Sequence, residues 1–386
     1  MTVEDQALPP GSVPQFPTTR YQGSKRKLVA GILDQLGNLE FDTVLDAFGG
    51  TGSVAYAFKA AGKAVTYNDL LAFNHQIGLA LIENDSIRLS EQQIERIAAS
   101  ETNGTGGDFI RRTFSGIYFT DEENAWLDAA VANVATLEGA EPFPAGTFAR
   151  AEARGSGGRE RSSLPDGCAR YARAIAWFAI FQAAMAKRPY NLFHRANLYM
   201  RTAQVRRSFG NKATWDRSFA DHFRAAADEA NRAVIDSGGR CRAIRRDVLD
   251  VEPGFDLVYI DTPYINDSGV GVDYRGFYHF LEGLVRYDEW PTLIDQGSKH
   301  RRLLPQPDPW SNPTTCREMF GRLFERFRDS HLVVSYRSDG IPTIEELSRL
   351  LRNVKRRVRV IEGERYQYVL STRRKTREAL LIGSDA

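Results

Sequence analysis

FDLVYIDTPY, Phe255–Tyr264, is the stretch whose reading decides the fold. Five of the six residues Phe255–Ile260 are apolar or aromatic, and Val258 and Ile260 are β-branched. A short continuous apolar run of this kind reads as a strand covered on both faces, as in a parallel sheet. The run stops at a carboxylate, Asp261; Pro263 then breaks the strand and Tyr264 follows. Open α/β sheets hold their ligands at the carboxyl ends of their strands. Pro263 fixes its own φ and pushes Thr262 to an extended conformation, so the Asp261 carboxylate and the Thr262 carbonyl can point to one spot. Two converging acceptors suit an NH2 group, and Tyr264 offers a flat face to a planar ring. The implied ligand is a planar heterocycle with an exocyclic amine, such as adenine or cytosine. Asp-X-Pro after a strand is also a common turn with the aspartate as a local cap, and the tetrapeptide alone does not choose between the two.

The rest of the chain supplies the choice. Its 386 residues are 42% hydrophobic and 26% charged, ordinary for a globular protein with a large core. No run of about 18 apolar residues marks a membrane span. The first residues, MTVEDQALPPGSVPQFP, are acidic and proline-rich. They lack the basic and apolar regions of a secretory signal, so 1–19 reads as a flexible arm. Cys168, Cys241 and Cys316 are far apart and odd in number. They make neither a disulfide framework nor a zinc site, and point to a reducing cytoplasm. A net charge of +2 says little about partners.

Arg20–Lys27, RYQGSKRK, is basic and precedes an amphipathic helix over 28–36. Lysine is unfavourable at that positive end of the helix dipole. Thr43–Gly52, TVLDAFGGTG, reads as a strand ending at Asp46, a glycine turn, and a helix from Ser53. This opens a nucleotide-binding βαβ unit. It is neither a GxGxxG fingerprint nor a phosphate loop, and a nucleoside without phosphates suits it better. Lys63–Asp69 reads as the second strand with Asp69 at its end, where ribose hydroxyls are held. A helix over 73–82 should follow.

Residues 84–239 interrupt the alternation, far exceeding the usual connection of about 4–6 residues. They read as an inserted domain with helices over 122–137, 169–187 and 221–236, the second of them apolar enough to be its core. Within it, Arg188–Trp215 mixes Arg, Asn, Gln, Lys and aromatics. Such side chains read base edges and neutralise phosphates, although a single charge cluster is usually only solvated. The third strand, 241–244, leads to Asp247, which suits either an adenine amino group or a helix cap. The long stretch 265–309 is a candidate lid. A helix from Cys316, a strand from His331, a helix from Ile344, and the segments 355–360 and 378–382 close the sheet as an antiparallel pair. The alternating basic segment 355–360 should carry one charged, wet face.

Glycine loop after strand one, acids after strands two and three, and DTPY after strand four: this order resembles the D12-class (Dam-like) adenine-specific DNA methyltransferases, over about Arg20 to Gly383. The resemblance implies an α/β fold with a Rossmann-like class I methyltransferase sheet, mostly parallel with an antiparallel last strand. It divides the chain into a catalytic domain, 20–83 and 240–386, and a mainly helical target-recognition domain, 84–239. It implies S-adenosylmethionine as cofactor and double-stranded DNA as partner, with a cognate restriction endonuclease as a candidate second partner. It assigns catalysis to Asp261, Thr262, Pro263 and Tyr264, and cofactor binding to Tyr21, Lys25, Asp46, Phe48, Gly50, Gly52, Asp69 and Asp247. DNA contacts fall to Arg195, Asn197, Arg201, Arg206, Arg207, Asn211 and Lys212. The family's motif usually has proline where Thr262 stands; the backbone carbonyl used there is retained. The implied chemistry is direct methyl transfer to N6 of a flipped-out adenine stacked on Tyr264. An N4-cytosine enzyme usually begins the tetrapeptide with serine, and a protein-amide enzyme with asparagine. An RNA amino-methyltransferase and an inactive DNA-binding relative are further alternatives.

Overall fold

The computed structural model describes residues 15–99, 107–137, 165–203, 212–365 and 377–385. Seven strands form one sheet: β1 Thr43–Asp46, β2 Ala64–Asn68, β3 Arg242–Ile244, β4 Leu257–Ile260, β5 His331–Arg337, β6 Arg357–Arg365 and β7 Arg377–Ser384, in the order β3-β2-β1-β4-β5-β7-β6. The first five run parallel. β7 runs antiparallel between β5 and β6, as expected of the closing pair. The chain leaves β1 toward β2 and β3, then returns to lay β4 on the other side of β1. In open α/β sheets such a reversal, at the carboxyl ends of β1 and β4, is where ligands bind.

Every residue of β4 is buried. Alternation along the strands sends side chains to two cores. Val44, Val65, Tyr67, Leu257 and Tyr259 join one, and Leu45, Val258, Ile260, Leu332 and Val334 join the other. Helix Ser53–Ala60 and helix Ala72–Gly78 cover the first face; helix Cys316–Arg326 and helix Ile344–Arg352 cover the second.

Several elements differ from the expectation. The helix begun at Ala72 ends at Gly78 and continues as one π turn, Leu79–Glu83. Gly78 lies so close to the Tyr67 ring that a Cβ there would come within 2.4 Å of it. Helix Pro165–Ala186 packs onto the sheet as well as onto its own segment. Ile175, Phe178, Ile180 and Phe181 share one core with the sheet residues, and Phe181 meets Phe73 edge-on at 5.7 Å. A helix apolar on all sides must be covered on all sides, so it recruits both partners. The stretch 265–309 is packed rather than open: it carries helix Tyr274–Phe277 and helix His279–Val285, and Tyr274 stacks on Tyr21. The end of the N-terminal arm is pinned, with Phe16 against Tyr56 at 5.3 Å; residues 1–14 lie outside the described residues. On β6, Val360 is exposed beside Arg359, while Lys355 turns inward to Asp385 at 2.6 Å. The edge strand therefore lacks a clean division into wet and apolar faces.

Candidate active site at the reversal of the sheet

β1 delivers Asp46 to the reversal. The turn after it is forced to be glycine: a Cβ on Gly49 would lie 2.0 Å from the Tyr67 ring, and Gly50 and Gly52 have φ of +52° and +74°, a region that favours glycine. Asp46 is 2% exposed, and its Oδ1 has no hydrogen-bond partner among the described residues. Burial, reinforced by the charge of Asp261, pushes its carboxyl up to about 8, against the pull of the Ala55 and Phe48 amides. Phe48, half-buried, sits edge-on to Trp310 at 5.0 Å.

Asp69, just past β2, accepts from the Gly50 amide at 2.9 Å, the Leu71 amide at 2.9 Å and Asn74 Nδ2 at 3.0 Å. It thus ties the glycine turn to the second strand, and burial still raises its carboxyl. Asp247 is exposed and accepts from the Leu249 amide at 2.9 Å, capping the turn Val248–Asp250. Of the two readings open for it, the cap is the one the described residues form.

β4 delivers Asp261 beside Asp46, since Asp46 pairs in register with Tyr259. Two donors converge on one oxygen, Asp261 Oδ1: the Tyr264 hydroxyl at 2.5 Å and the Lys25 ammonium at 3.1 Å. Asp261 Oδ2 accepts no hydrogen bond from the described residues, and the side chain remains 18% exposed. Burial raises the Asp261 carboxyl; Lys25 lowers it and Glu378 raises it again. Thr262 is buried, with its hydroxyl lacking a partner among the described residues. Pro263 is half-buried.

Tyr264 differs from the expectation of an open stacking platform. It is 4% exposed, lies edge-on to Tyr336 at 5.2 Å, and carries the Lys25 ammonium 4.7 Å over its ring. Its hydroxyl reaches Glu378 at 3.0 Å as well as Asp261, and Lys25 donates to that hydroxyl too. Bonding to Asp261 and the buried Glu378 draws the ring inward. Tyr21 is half-buried, stacked on Tyr278 at 4.5 Å and on Tyr274 at 5.6 Å.

Sequence reasoning missed Glu378, which pairs with Lys25 at 2.9 Å, and Ser335, which donates to Glu378 at 2.6 Å. The available signal was a lone carboxylate heading the apolar run EALLI, an end usually left to solvent.

The expected DNA-contacting residues divide. Arg195 is exposed, and Lys212 is exposed and paired with Asp216 at 2.9 Å. Arg206, Arg207 and Asn211 lie outside the described residues. Asn197 is buried. Arg201 turns inward: it is 8% exposed, and its guanidinium forks onto Glu123 at 2.9 and 2.6 Å, beside Lys187 at 2.7 Å from the same carboxylate. Buried charges of this kind survive only when paired. Replacing Arg201 with alanine should therefore destabilise the fold by about 3 kcal/mol, the lower end for a broken buried pair because Lys187 remains. Chemical denaturation checks this; a loss of DNA affinity with unchanged stability would return Arg201 to the DNA face.

Similarity to known proteins adds an independent observation from the sequence. The chain is 26% identical over 379 residues to the Type II methyltransferase M2.HphI of Haemophilus parahaemolyticus, covering 96% of this chain and 97% of that protein. It is 24% identical over 348 residues to the modification methylase LlaI of Lactococcus lactis subsp. lactis, covering 86% of this chain and 48% of that one. The model of one family, the D12 class N6 adenine-specific DNA methyltransferases, matches residues 21–290. With the carboxylate, turn and tyrosine of DTPY standing at the reversal of a Rossmann-like sheet, the chain belongs to the D12 class N6 adenine-specific DNA methyltransferase family.

Proposed function

We propose that Asp261 Oδ2 and the Thr262 carbonyl take the two hydrogens of the N6 amine of an adenine flipped out of duplex DNA, and that the methyl donor is S-adenosylmethionine. The observation that carries this reading is the division of labour on Asp261. Its Oδ1 is engaged by Lys25 and Tyr264, while Oδ2 accepts nothing from the described residues. An exocyclic amine is a poor nucleophile because its lone pair is spread into the ring. Accepting both its hydrogens turns the nitrogen toward sp3 and frees that pair, and holding the two reactants in line supplies much of the acceleration. Flipping costs a few kcal/mol, offset by contacts to phosphate.

The residues present fit the cofactor. S-adenosylmethionine supplies an electrophilic methyl on a sulfonium and carries an α-ammonium and a ribose. Asp46, with an orphaned buried oxygen, matches the ammonium; Asp69 and the glycines at 50 and 52 match the ribose and the close approach of a nucleoside. A carboxyl held protonated up to about 8 must lose its proton to pair with an ammonium. Binding of S-adenosylmethionine to the free protein should then release a proton and tighten as pH rises from 6 to 7.5. Calorimetry in two buffers of different ionisation enthalpy checks this, and a proton count of zero removes Asp46 from the ammonium.

Methylation of mixed-sequence duplex DNA, followed by digestion to nucleosides, tests the whole reading. N6-methyladenine is the expected product; N4-methylcytosine, or methylated RNA alone, overturns it. The names of the two relatives support a place in a restriction-modification system with a cognate endonuclease. The three free thiols support a reducing compartment, and among the described residues no helix is long and apolar enough to cross a membrane.

A further inference from the structure

Glu378 sits near the start of β7, and its side chain is 8% exposed. Burying a second carboxylate beside Asp261 is costly unless donors compensate it. Three groups converge on Glu378 Oε1: Ser335 Oγ donates at 2.6 Å, Lys25 Nζ lies at 2.9 Å, and the Tyr264 hydroxyl, whose one proton is shared with Asp261, lies at 3.0 Å. Two of the three are the same groups that hold Asp261 Oδ1. Among the described residues, the charged and polar groups around Glu378 include Lys25 on the N-terminal segment, Tyr259 on β4, Asp261 and Tyr264 after it, Tyr274 on its short helix, and on β5 the Ser335 hydroxyl and Arg337, which pairs in register with Glu378.

We propose that Glu378 is a positioning residue of the methyl transfer: it pins Lys25 and Tyr264 onto Asp261 Oδ1, leaving Oδ2 to the amine, and its negative charge keeps Asp261 basic enough to take the proton that the methylated amine gives up. The proposal rests on the reading of Asp261 given above. In the step itself, the amine lone pair forms the new N–C bond as the C–S bond breaks, with its electron pair staying on sulfur. The nitrogen then carries the positive charge. One N–H bond breaks, its pair returns to nitrogen, and the proton goes to Asp261 Oδ2. Lys25 alone would make Asp261 a weak base, since an adjacent cation favours the ionised form. A second carboxylate on the other side of the ammonium offsets it.

Two variants test this, Glu378→Gln and Ser335→Ala. The first readout is the titration of the Asp261 carboxyl carbon, observed by NMR in 13C-labelled protein and assigned with Asp261→Asn. The second is the acid limb of the single-turnover rate against pH. In Glu378→Gln the Asp261 midpoint should fall by about one unit or more, because a neighbouring like charge is gone. In Ser335→Ala it should also fall, by less, because Glu378 loses a donor that favours its ionised form and its charge beside Asp261 is diminished. The acid limb should follow in both, and Glu378→Asp should restore part of the parent behaviour. Should Glu378→Gln fail to fold, Ser335→Ala alone decides. An unmoved Asp261 midpoint overturns the proposal, even where the rate falls, since lost packing lowers a rate without shifting a titration. A midpoint that moves while the acid limb stays in place overturns it differently: the failure then lies in the role assigned to Asp261.

Discussion

Asp261→Ala lowers the rate of methyl transfer by about 10³-fold, the scale of losing a positioned acid–base group, while the protein still folds and binds S-adenosylmethionine. Both halves follow from the contacts of Asp261. On the proposed reading its Oδ2 is the acceptor left to the amine, so the variant would keep only the Thr262 carbonyl and could not gather both hydrogens. Its Oδ1 shares its donors with Glu378, which still pairs with Lys25 at 2.9 Å and with the Tyr264 hydroxyl at 3.0 Å. No buried cation is orphaned. The charge of Asp261 is also one cause of the raised Asp46 carboxyl. Removing it lets Asp46 ionise more easily, so cofactor affinity at neutral pH should hold or improve. Single-turnover methylation and calorimetry on the same preparation check the pair of outcomes. Turnover within tenfold of the parent sinks the assigned role. Loss of cofactor binding together with activity would mean that the variant lost the site, rather than one acceptor within it.

The parts of this site that were legible in the chain are those encoded over a few neighbouring residues. A β-branched apolar run ending in Asp261, and the strand and glycine turn around Asp46, carry their own periodicity and stop signals. Because strands of a parallel sheet end on one edge, placing the strands also placed the acids. What was not legible depends on residues brought together from distant segments. Lys25, Asp261, Ser335 and Glu378 lie on four different stretches, and no local pattern distinguishes a buried Glu378 from a solvated strand end. Composition has the same blindness at Arg201. An arginine among aromatics reads alike whether it faces phosphate or forks onto Glu123 inside a core. The place of Tyr264 along the chain was legible and the direction of its ring was not, because that direction follows from a hydroxyl within reach of both Asp261 and Glu378. Helix Pro165–Ala186 was legible as apolar; its sharing of a core with the sheet was not, since apolarity says that a helix is covered and not by what.

Lys25→Met should have the second large effect, and it should depend on pH. The substitution keeps the length of the side chain and removes the ammonium that stands between Asp261 and Glu378, 3.1 Å from one and 2.9 Å from the other. Two buried carboxylates then face each other without a cation, and they cannot both stay ionised cheaply. The Asp261 carboxyl, already raised by burial and by Glu378 with Lys25 opposing, should climb by a further ~1–3 units. Once protonated, Asp261 is a poorer acceptor and no base. The rate therefore collapses at pH 6–7, by about tenfold for each unit of the shift, and recovers as the pH is raised past the new midpoint. Stability moves the other way. A carboxyl whose folded-state proton affinity exceeds its unfolded value holds its proton in the folded form, so the variant's deficit is small at pH 5. It grows as rising pH strips that proton, toward the roughly 3–5 kcal/mol of a broken buried pair. Denaturant midpoints at pH 5.5 and 8.5, set beside rates at the same two values, read both trends. A variant that loses activity equally at both pH values, with no change in stability, would show that Lys25 serves the site through something other than its charge between two carboxylates.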